Sequence, residues 1–321
     1  MNREHLAIGL LVVLAACAAP QSVAPHYPSA PFWGDATRLA RDVKKINKQP
    51  LFVGVGNNAY PKAHIYVFGT VSPSATPSAT ITINEPSQQK LWLSSIGVDP
   101  ENTLYTPFGD AAWGTTMLTG NGINPAPSWA WVIAGKDVYN ATGQSSFQYF
   151  SASEGACGSK CFMIAGDNTM LSSTITAAID KSGKIYVSDL NTNSIFVFAK
   201  NASGDVPPIR MIHGPHTGLG QADSMAVDSK GRLWIMQGGY EVLRFPPDAN
   251  GDITPQTITM PPGGITRLAI DTGDNVYVDM NASDGDSSWV QVIRPNGKQF
   301  SMTLPFGLGD VAQSIAVRQY K

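Results

Sequence analysis

Residues 222–236 read ADSMAVDSKGRLWIM, and this stretch decides the fold. A short apolar segment runs into Asp228, Gly231 stands three residues later, and Leu233-Trp234-Ile235 opens a second apolar segment. An Asp at the first turn position can accept hydrogen bonds from the N–H groups ahead of it, and Gly supplies left-handed backbone without steric cost. The stretch therefore reads as a β-hairpin with a defined turn. The same pattern recurs in SSIGVDPENTLYT (94–106), TITAAIDKSGKIYVSD (174–189) and ITRLAIDTGDNVYVD (265–279). The turn carboxylates are Asp99, Asp180, Asp228 and Asp271, and the second strands begin at Leu104, Ile185, Leu233 and Val276. Three residues after each Asp stand Asn102, Gly183, Gly231 and Asp274, all types that tolerate left-handed backbone.

Working outward, Asp180 to Asp228 is 48 residues, Asp228 to Asp271 is 43, and Asp99 to Asp180 is 81, or two periods. A third strand recurs at His64–Phe68, Phe147–Phe150, Ser194–Phe198, Glu241–Phe245 and Trp289–Ile293, and a fourth at Ile209–Ile212 and Thr257–Met260. Four short strands at such a period are the signature of a β-propeller blade. Residues 51–83 hold strands two to four of a blade without a first, and 313–318 hold a first strand with nothing after it. Pairing them closes the ring and removes both free edges. The expectation is an all-β, six-bladed β-propeller with units starting near Leu93, Trp129, Ile175, Met225 and Thr266. Five or seven blades also fit, because GTTMLTGNGINP (114–125) is a poor strand source and WAWVIAGKDVYN (129–140) lacks the Asp turn.

The segments ahead of the propeller concern address. After Arg3, residues 6–16 form an apolar and small-residue run of 11, short of the ~20 that span a bilayer but right for a secretory signal. The run ends in Leu14-Ala15-Ala16-Cys17, which resembles a bacterial lipoprotein box. That resemblance implies cleavage before Cys17, acylation (palmitate included) of that residue, and, with Ala18 following, outer-membrane sorting. An ordinary signal peptide cleaved after Ala16 or Ala19 is the alternative. Residues 1–16 are thus expected as signal, 17–50 as a lipidated Pro/Ala/Ser tether with a short amphipathic helix over 35–48, and 51–321 as the propeller. Cys157 and Cys161 then remain as an even pair in an exported chain, which reads as a disulfide; no second Cys pair or His accompanies them to favour a metal.

Charged residues are 14% of the 321, with 22 Lys+Arg against 24 Asp+Glu. No overall positive charge is present to neutralise phosphates, so nucleic acid is not expected as a partner. Residues 194–235, SIFVFAKNASGDVPPIRMIHGPHTGLGQADSMAVDSKGRLWI, resemble the NHL-type repeat of bacterial exported propellers, and HIYVFGTVSPSATPSATITI (64–83) repeats it. The resemblance implies a propeller that serves as a binding scaffold or sensor and, in a few members, as an enzyme. The reading is a lipid-anchored binding or scaffold module at the cell envelope, held to the membrane and meeting a protein, peptide or glycan ligand. Candidate contacts on the channel face are Tyr60, Lys62, Asp189, His213, His216, Asp223, Tyr240 and Asp284. His213-Gly214-Pro215-His216 reads as a turn between blades, since zinc wants further ligands. Asp279–Asp286 carries oxygens enough for a structural calcium but misses the spacing of an EF-type loop by one residue. No other cofactor is expected.

A second resemblance points to another class. Ala222–Ile235 is similar to the P-D-G-M-x-x-D…G-x-L-W segment of gluconolactonase-like six-bladed enzymes, which implies a catalytic metal ligand at Asp223. The companion Asn of that family falls near Thr174–Thr176, and its Glu falls on Pro50-Leu51-Phe52. A divalent ion wants six or more oxygens, so the metal-dependent lactonase or esterase reading rests on Asp223, and binding is the expected role.

Overall fold

The computed structural model describes residues 50–57, 62–84, 95–100, 104–105, 107–110, 114–117, 130–151, 161–238, 241–283, 287–305 and 310–318. The signal segment, Cys17, the tether, the helix expected over 35–48, and Tyr60, Cys157, Tyr240 and Asp284 lie outside the described residues.

The chain is built from short strands. The first are β1 (Leu51–Asn57), β2 (Lys62–Phe68), β3 (Ala79–Asn84), β4 (Gly97–Val98), β5 (Leu104–Tyr105), β6 (Pro107–Asp110) and β7 (Gly114–Met117). Then come β8 (Ala130–Ala134), β9 (Asp137–Ala141), β10 (Ser146–Ser151), β11 (Phe162–Ala165), β12 (Thr174–Ile179), β13 (Ile185–Asp189), β14 (Ser194–Phe198) and β15 (Arg210–Ile212). The remainder are β16 (Ala222–Val227), β17 (Leu233–Gln237), β18 (Glu241–Phe245), β19 (Gln256–Ile258), β20 (Gly264–Ile270), β21 (Val276–Asn281), β22 (Ser288–Ile293), β23 (Gln299–Thr303) and β24 (Asp310–Val317). Among the described residues they form five four-stranded antiparallel blades, in the orders β24-β1-β2-β3, β8-β9-β10-β11, β12-β13-β14-β15, β16-β17-β18-β19 and β20-β21-β22-β23. The pairs β4-β5 and β6-β7 follow the first blade, and β4 packs between β24 and β8. The inner strands β24, β4, β8, β12, β16 and β20 thus neighbour one another around a complete ring.

The fold is the all-β propeller expected, and its closure is the one the two chain ends required. β24 pairs antiparallel with β1, Leu51 opposite Val317 and Asn57 opposite Asp310. Three of the second strands begin at Ile185, Leu233 and Val276, and β5 begins at Leu104, five residues after each turn Asp. The turns work as the repeat implies. Oδ1 of Asp180 accepts from the N–H groups of Ser182 and Lys184 at 2.8 and 2.9 Å. Asp228 does so for Lys230 and Arg232, both at 3.0 Å, and Asp271 for Gly273 and Asn275 at 2.8 and 2.9 Å. Gly183, Gly231 and Asp274 have φ of 87°, 77° and 61°. The aromatic six residues after the Asp closes the unit in two blades: Trp234 Nε1 donates to Asp228 at 3.0 Å and the Tyr277 hydroxyl to Asp271 at 2.8 Å.

Two weakly patterned segments form strands nonetheless. Gly114–Met117 is β7, paired with β6, where adjacent β-branched Thr115 and Thr116 suit a pleated strand once a partner is present. Residues 130–141 make a hairpin without the Asp turn, because Gly135, at φ 61°, and Lys136 form a two-residue loop instead.

The apolar core lies between blades rather than in one centre. One cluster joins β1 and β24 to the last blade through Leu51, Val53, Tyr277, Val290 and Ile315. Others join the β8 and β12 blades, the β12 and β16 blades, and the β16 and β20 blades, while Ile96 and Val98 pack on the first blade. Each blade alternates side chains to its two neighbours, so none is stable alone, and ring closure completes the burial.

A second device ties the perimeter. After β11 and after β15 come 3-10 turns, Asp167–Thr169 and Pro215–Thr217. Asp205 of the next blade accepts from the Asn168 N–H at 2.8 Å, and Asp252 of the blade after accepts from the His216 N–H at 2.8 Å. Gly166 and Gly214, at φ 125° and 122°, permit this approach: a Cβ there would lie 2.3 and 2.5 Å from the carboxyl carbons of Asp205 and Asp252.

Candidate functional site at the channel mouth

Each inner strand starts at the upper face of the ring and ends on the lower face, at a hairpin turn in all but β24. Four of the inner strands carry an irregularity at the upper end. Pairing is interrupted between Thr174 and Ala177, Ala222 and Ser224, Ile265 and Arg267, and at the junction of Gly54 and Val55 opposite β24. The extra residue in three of them, Asp223, Thr266 and Gln313, stands five positions before the turn residue of its unit. A bulge re-aims a side chain, so these residues are redirected at the mouth of the channel.

The channel itself is narrow. Its cavity is ≈ 60 Å³ and is walled by Ile96, Val98, Ile133, Leu268, Ile315 and the polar Ser95, Thr176, Ser224 and Arg267, among others. Ser224 Oγ ties its neighbour in place, accepting from the Leu268 N–H at 3.1 Å. A metabolite site needs roughly 300–1,000 Å³; this channel has room for a few waters.

At the upper mouth stand Asp223, Arg267, Thr266 and Asp279. Asp223 accepts from Gln221 Nε2 at 2.7 Å; burial pushes its carboxyl above the usual carboxylate range, against the pull of that hydrogen bond and of the Arg267 charge. Arg267 and Asp279 are cross-strand partners on β20 and β21. Asp279 is fully buried, accepts from Thr266 Oγ1 at 3.0 Å through Oδ2, and has no hydrogen-bond partner at Oδ1. Burial drives its carboxyl well above the ordinary value, opposed by the Thr266 hydrogen bond and the Arg267 charge. Arg267, which lines the cavity, is flanked electrostatically by both carboxylates.

The structure separates the expected contacts. Asp189 lies on the upper face but is consumed locally: it accepts from the Ser172 N–H, the Ser172 hydroxyl and the Ser173 N–H at 2.7 Å each, and from Thr192. Burial pushes its carboxyl up, yet the hydrogen bonds from Ser173, Ser172 and Thr192 outweigh it and hold it low. His213 and His216 sit at the perimeter, away from the inner strands; His213 donates its N–H to Gly251 at 3.2 Å and His216 Nδ1 is 2.6 Å from Asp252. Lys62 opens β2 at the upper face. Of the expected contacts among the described residues, only Asp223 stands at the mouth. Among the described residues no three His, Cys, Asp or Glu side chains converge as an ion would require.

Arg267 and Asp279 are absent from the sequence-based candidates. Their signal was a departure from the repeat: Arg267 replaces the small hydroxyl residue found at Thr176 and Ser224, and Asp279 stands where the other units have Ser188 and Met236.

No protein-family model and no curated protein matches the sequence. Solved structures do. A protein of unknown function from Bacteroides caccae is 12% identical with a TM-score of 0.54, over 85% of this chain and 100% of that one. The likeness is one of fold. U3-55K is 9% identical with a TM-score of 0.50, over 83% of this chain and 81% of that one. A catalytically inactive virginiamycin B lyase from Staphylococcus aureus is 12% identical with a TM-score of 0.47, over 80% and 85%.

Proposed function

We propose that this chain is an exported, lipid-anchored propeller with NHL-type repeats that works by binding at the cell envelope. The observation that carries the reading is the closed, rigid ring, whose inner strands enclose a cavity of ≈ 60 Å³, below the size of an ordinary metabolite pocket. Recognition then falls to the outer surfaces of a rigid ring, as loops on a fixed scaffold commonly provide. Leu14-Ala15-Ala16-Cys17 supplies the address, with Cys17 as the acylated residue and Ala18 directing the protein to the outer membrane. Cys157 and Cys161 are read as a disulfide suited to that oxidising compartment. The test is mass spectrometry of the mature N-terminus. A chain beginning at an acylated Cys17 supports the reading; an unmodified Cys17, or a chain beginning at Ala18 or later, overturns the anchor.

The lactonase reading keeps one specific support, which is that Asp223 does stand at the channel mouth with a carboxyl raised by burial. Beside it are Arg267, which brings a positive charge, and Gln221, whose amide donates to it, and among the described residues no three His, Cys, Asp or Glu side chains converge there.

A further inference from the structure

The two faces of the ring carry different charge. On the lower face, the hairpin turn after β12 presents Lys181, that after β16 presents Lys230, the connection after β14 presents Lys200, and the turn after β22 presents Lys298. All four are exposed, and none takes part in an ion pair among the described residues. Lys136, in the turn between β8 and β9, is exposed on the same face. Two of the turn carboxylates there are set back. Asp228 and Asp271, 1% and 5% exposed, point into their turns onto N–H groups, and Asp274 accepts from Ser229. Asp248, in the connection after β18, is the exposed exception, and Lys184 and Arg210 neutralise it at 3.7 and 3.4 Å. Among the described residues, Lys181, Lys200, Lys230 and Lys298 are therefore exposed charges on this face with no ion-pair partner. On the upper face, among the described residues, the carboxylates outside the buried set include Asp167, Asp223 and Glu241, with Asp189 and Asp279 buried, Arg267 set into the mouth and Lys62 opening β2.

A second observation singles out the same face. β1 runs upward from Leu51, which pairs with Val317 at the lower end of β24. Pro50, the point at which everything N-terminal joins the ring, therefore lies on the lower face beside the lysine-bearing turns.

We propose that the lower face docks on a bilayer surface bearing anionic phospholipid headgroups, with Lys181, Lys200, Lys230 and Lys298 as the contacting charges. The inference rests on the envelope reading for its setting: a tether that joins the ring at Pro50 leaves from the lower face, so docking of that face leaves the upper face and channel mouth for a partner. Flexible lysines on separate turns suit a fluid, laterally mobile array of phosphates better than one rigid anionic site, where planar arginine forks would be favoured. Each basic residue at such a surface is worth about fivefold in partitioning, so four support reversible, salt-sensitive binding.

The test uses the chain from residue 17 onward with Cys17→Ser, so that no acyl group contributes, in sedimentation with phosphatidylglycerol/phosphatidylcholine vesicles and with pure phosphatidylcholine vesicles. Binding to the anionic vesicles should exceed that to neutral ones by about tenfold or more and disappear at roughly 0.5 M salt. Lys181→Glu/Lys200→Glu/Lys230→Glu/Lys298→Glu should abolish it, the four Lys→Gln exchanges should weaken it about tenfold or more, and Asp167→Lys/Glu241→Lys on the upper face should leave it intact. Thermal melting checks that each variant is folded, and the Gln set serves if the Glu set is not. Equal binding to both vesicle types, or full retention in the folded variants, overturns the proposal. So does binding to isolated peptidoglycan with none to vesicles. Because Cys17 is absent from the assay, a failure here is separate from a failure of the lipid anchor.

Discussion

Ile315→Ala tests whether β24 is an integral part of the ring or a detachable edge. Ile315 is 6% exposed, lies opposite Val53 in the β1–β24 pair, and belongs to a cluster that spans two blades, with Leu51 and Val53 on one side and Tyr277 and Val290 on the other. Truncation removes three carbons from a site walled by rigid strands, which collapses little, so the loss should fall at about 2–4 kcal/mol, the middle of the range for buried large-to-small changes. Whole-domain stabilities are about 5–15 kcal/mol, so this is a substantial fraction. If the ring is one cooperative unit, the loss appears in the main calorimetric transition, at about 2–4 °C per kcal/mol, for a drop of roughly 5–15 °C with a single peak. If β24 frays independently, the main transition stays in place and only the β1 and β24 amides lose hydrogen-exchange protection. Deleting residues 310–321 is the stronger form, since it uncovers β1 as a free edge as well as the cluster, and it should abolish the cooperative transition. A main transition within a degree of the parent in Ile315→Ala, or a truncated chain that melts like the whole, would refute the closure argument.

Three further outcomes follow from the turns and the mouth. Asp228→Ala should cost about 3 kcal/mol in chemical denaturation, because it strands Trp234 Nε1 and Arg232 as well as two backbone N–H groups, whereas Asp180→Ala, on a half-exposed carboxylate, should cost about 1 kcal/mol; equal losses would contradict the ranking. Asp279 has its carboxyl raised in the folded state by burial, so the fold favours the protonated form and loses stability as pH rises from the unfolded value near 3.8 towards the folded one. Asp279→Asn should therefore gain on the parent progressively above pH ~4, and a stability difference flat from pH ~4 to ~8 would be inconsistent with that sign. Asp223→Asn should change neither calcium nor zinc content by calorimetry and leave lactone hydrolysis where it was; a stoichiometric ion, or turnover, lost in the variant would establish the lactonase reading instead.

What the sequence disclosed and what it withheld divide along one physical line. The hairpins were legible because their determinants are local: Asp180, Asp228 and Asp271 cap N–H groups two and four residues ahead, so strand starts at Ile185, Leu233 and Val276 follow from the spacing alone. Closure was legible for the complementary reason that the two ends each lacked what the other had. The site was not, because its members meet only through strand register within a blade and packing between neighbouring blades. His213 and His216 share a short motif, yet the connections between β14 and β15 and between β18 and β19 reach back to the preceding blade, and Asp252 draws that motif onto the perimeter. Arg267 and Asp279 carry no motif; each is a single departure from a repeat, and only the β20–β21 register makes them partners. A repeat specifies the frame wherever it is obeyed, since every copy must solve the same packing problem. Function is then most readable where a copy breaks the pattern without a packing reason, and a buried Asp279 with an unpartnered oxygen, set against the Ser188 and Met236 of its sister units, is such a break. The lower-face lysines escape notice for the opposite reason: the hairpin and connecting turns hold them at scattered sequence positions, and the ring gathers them onto one surface.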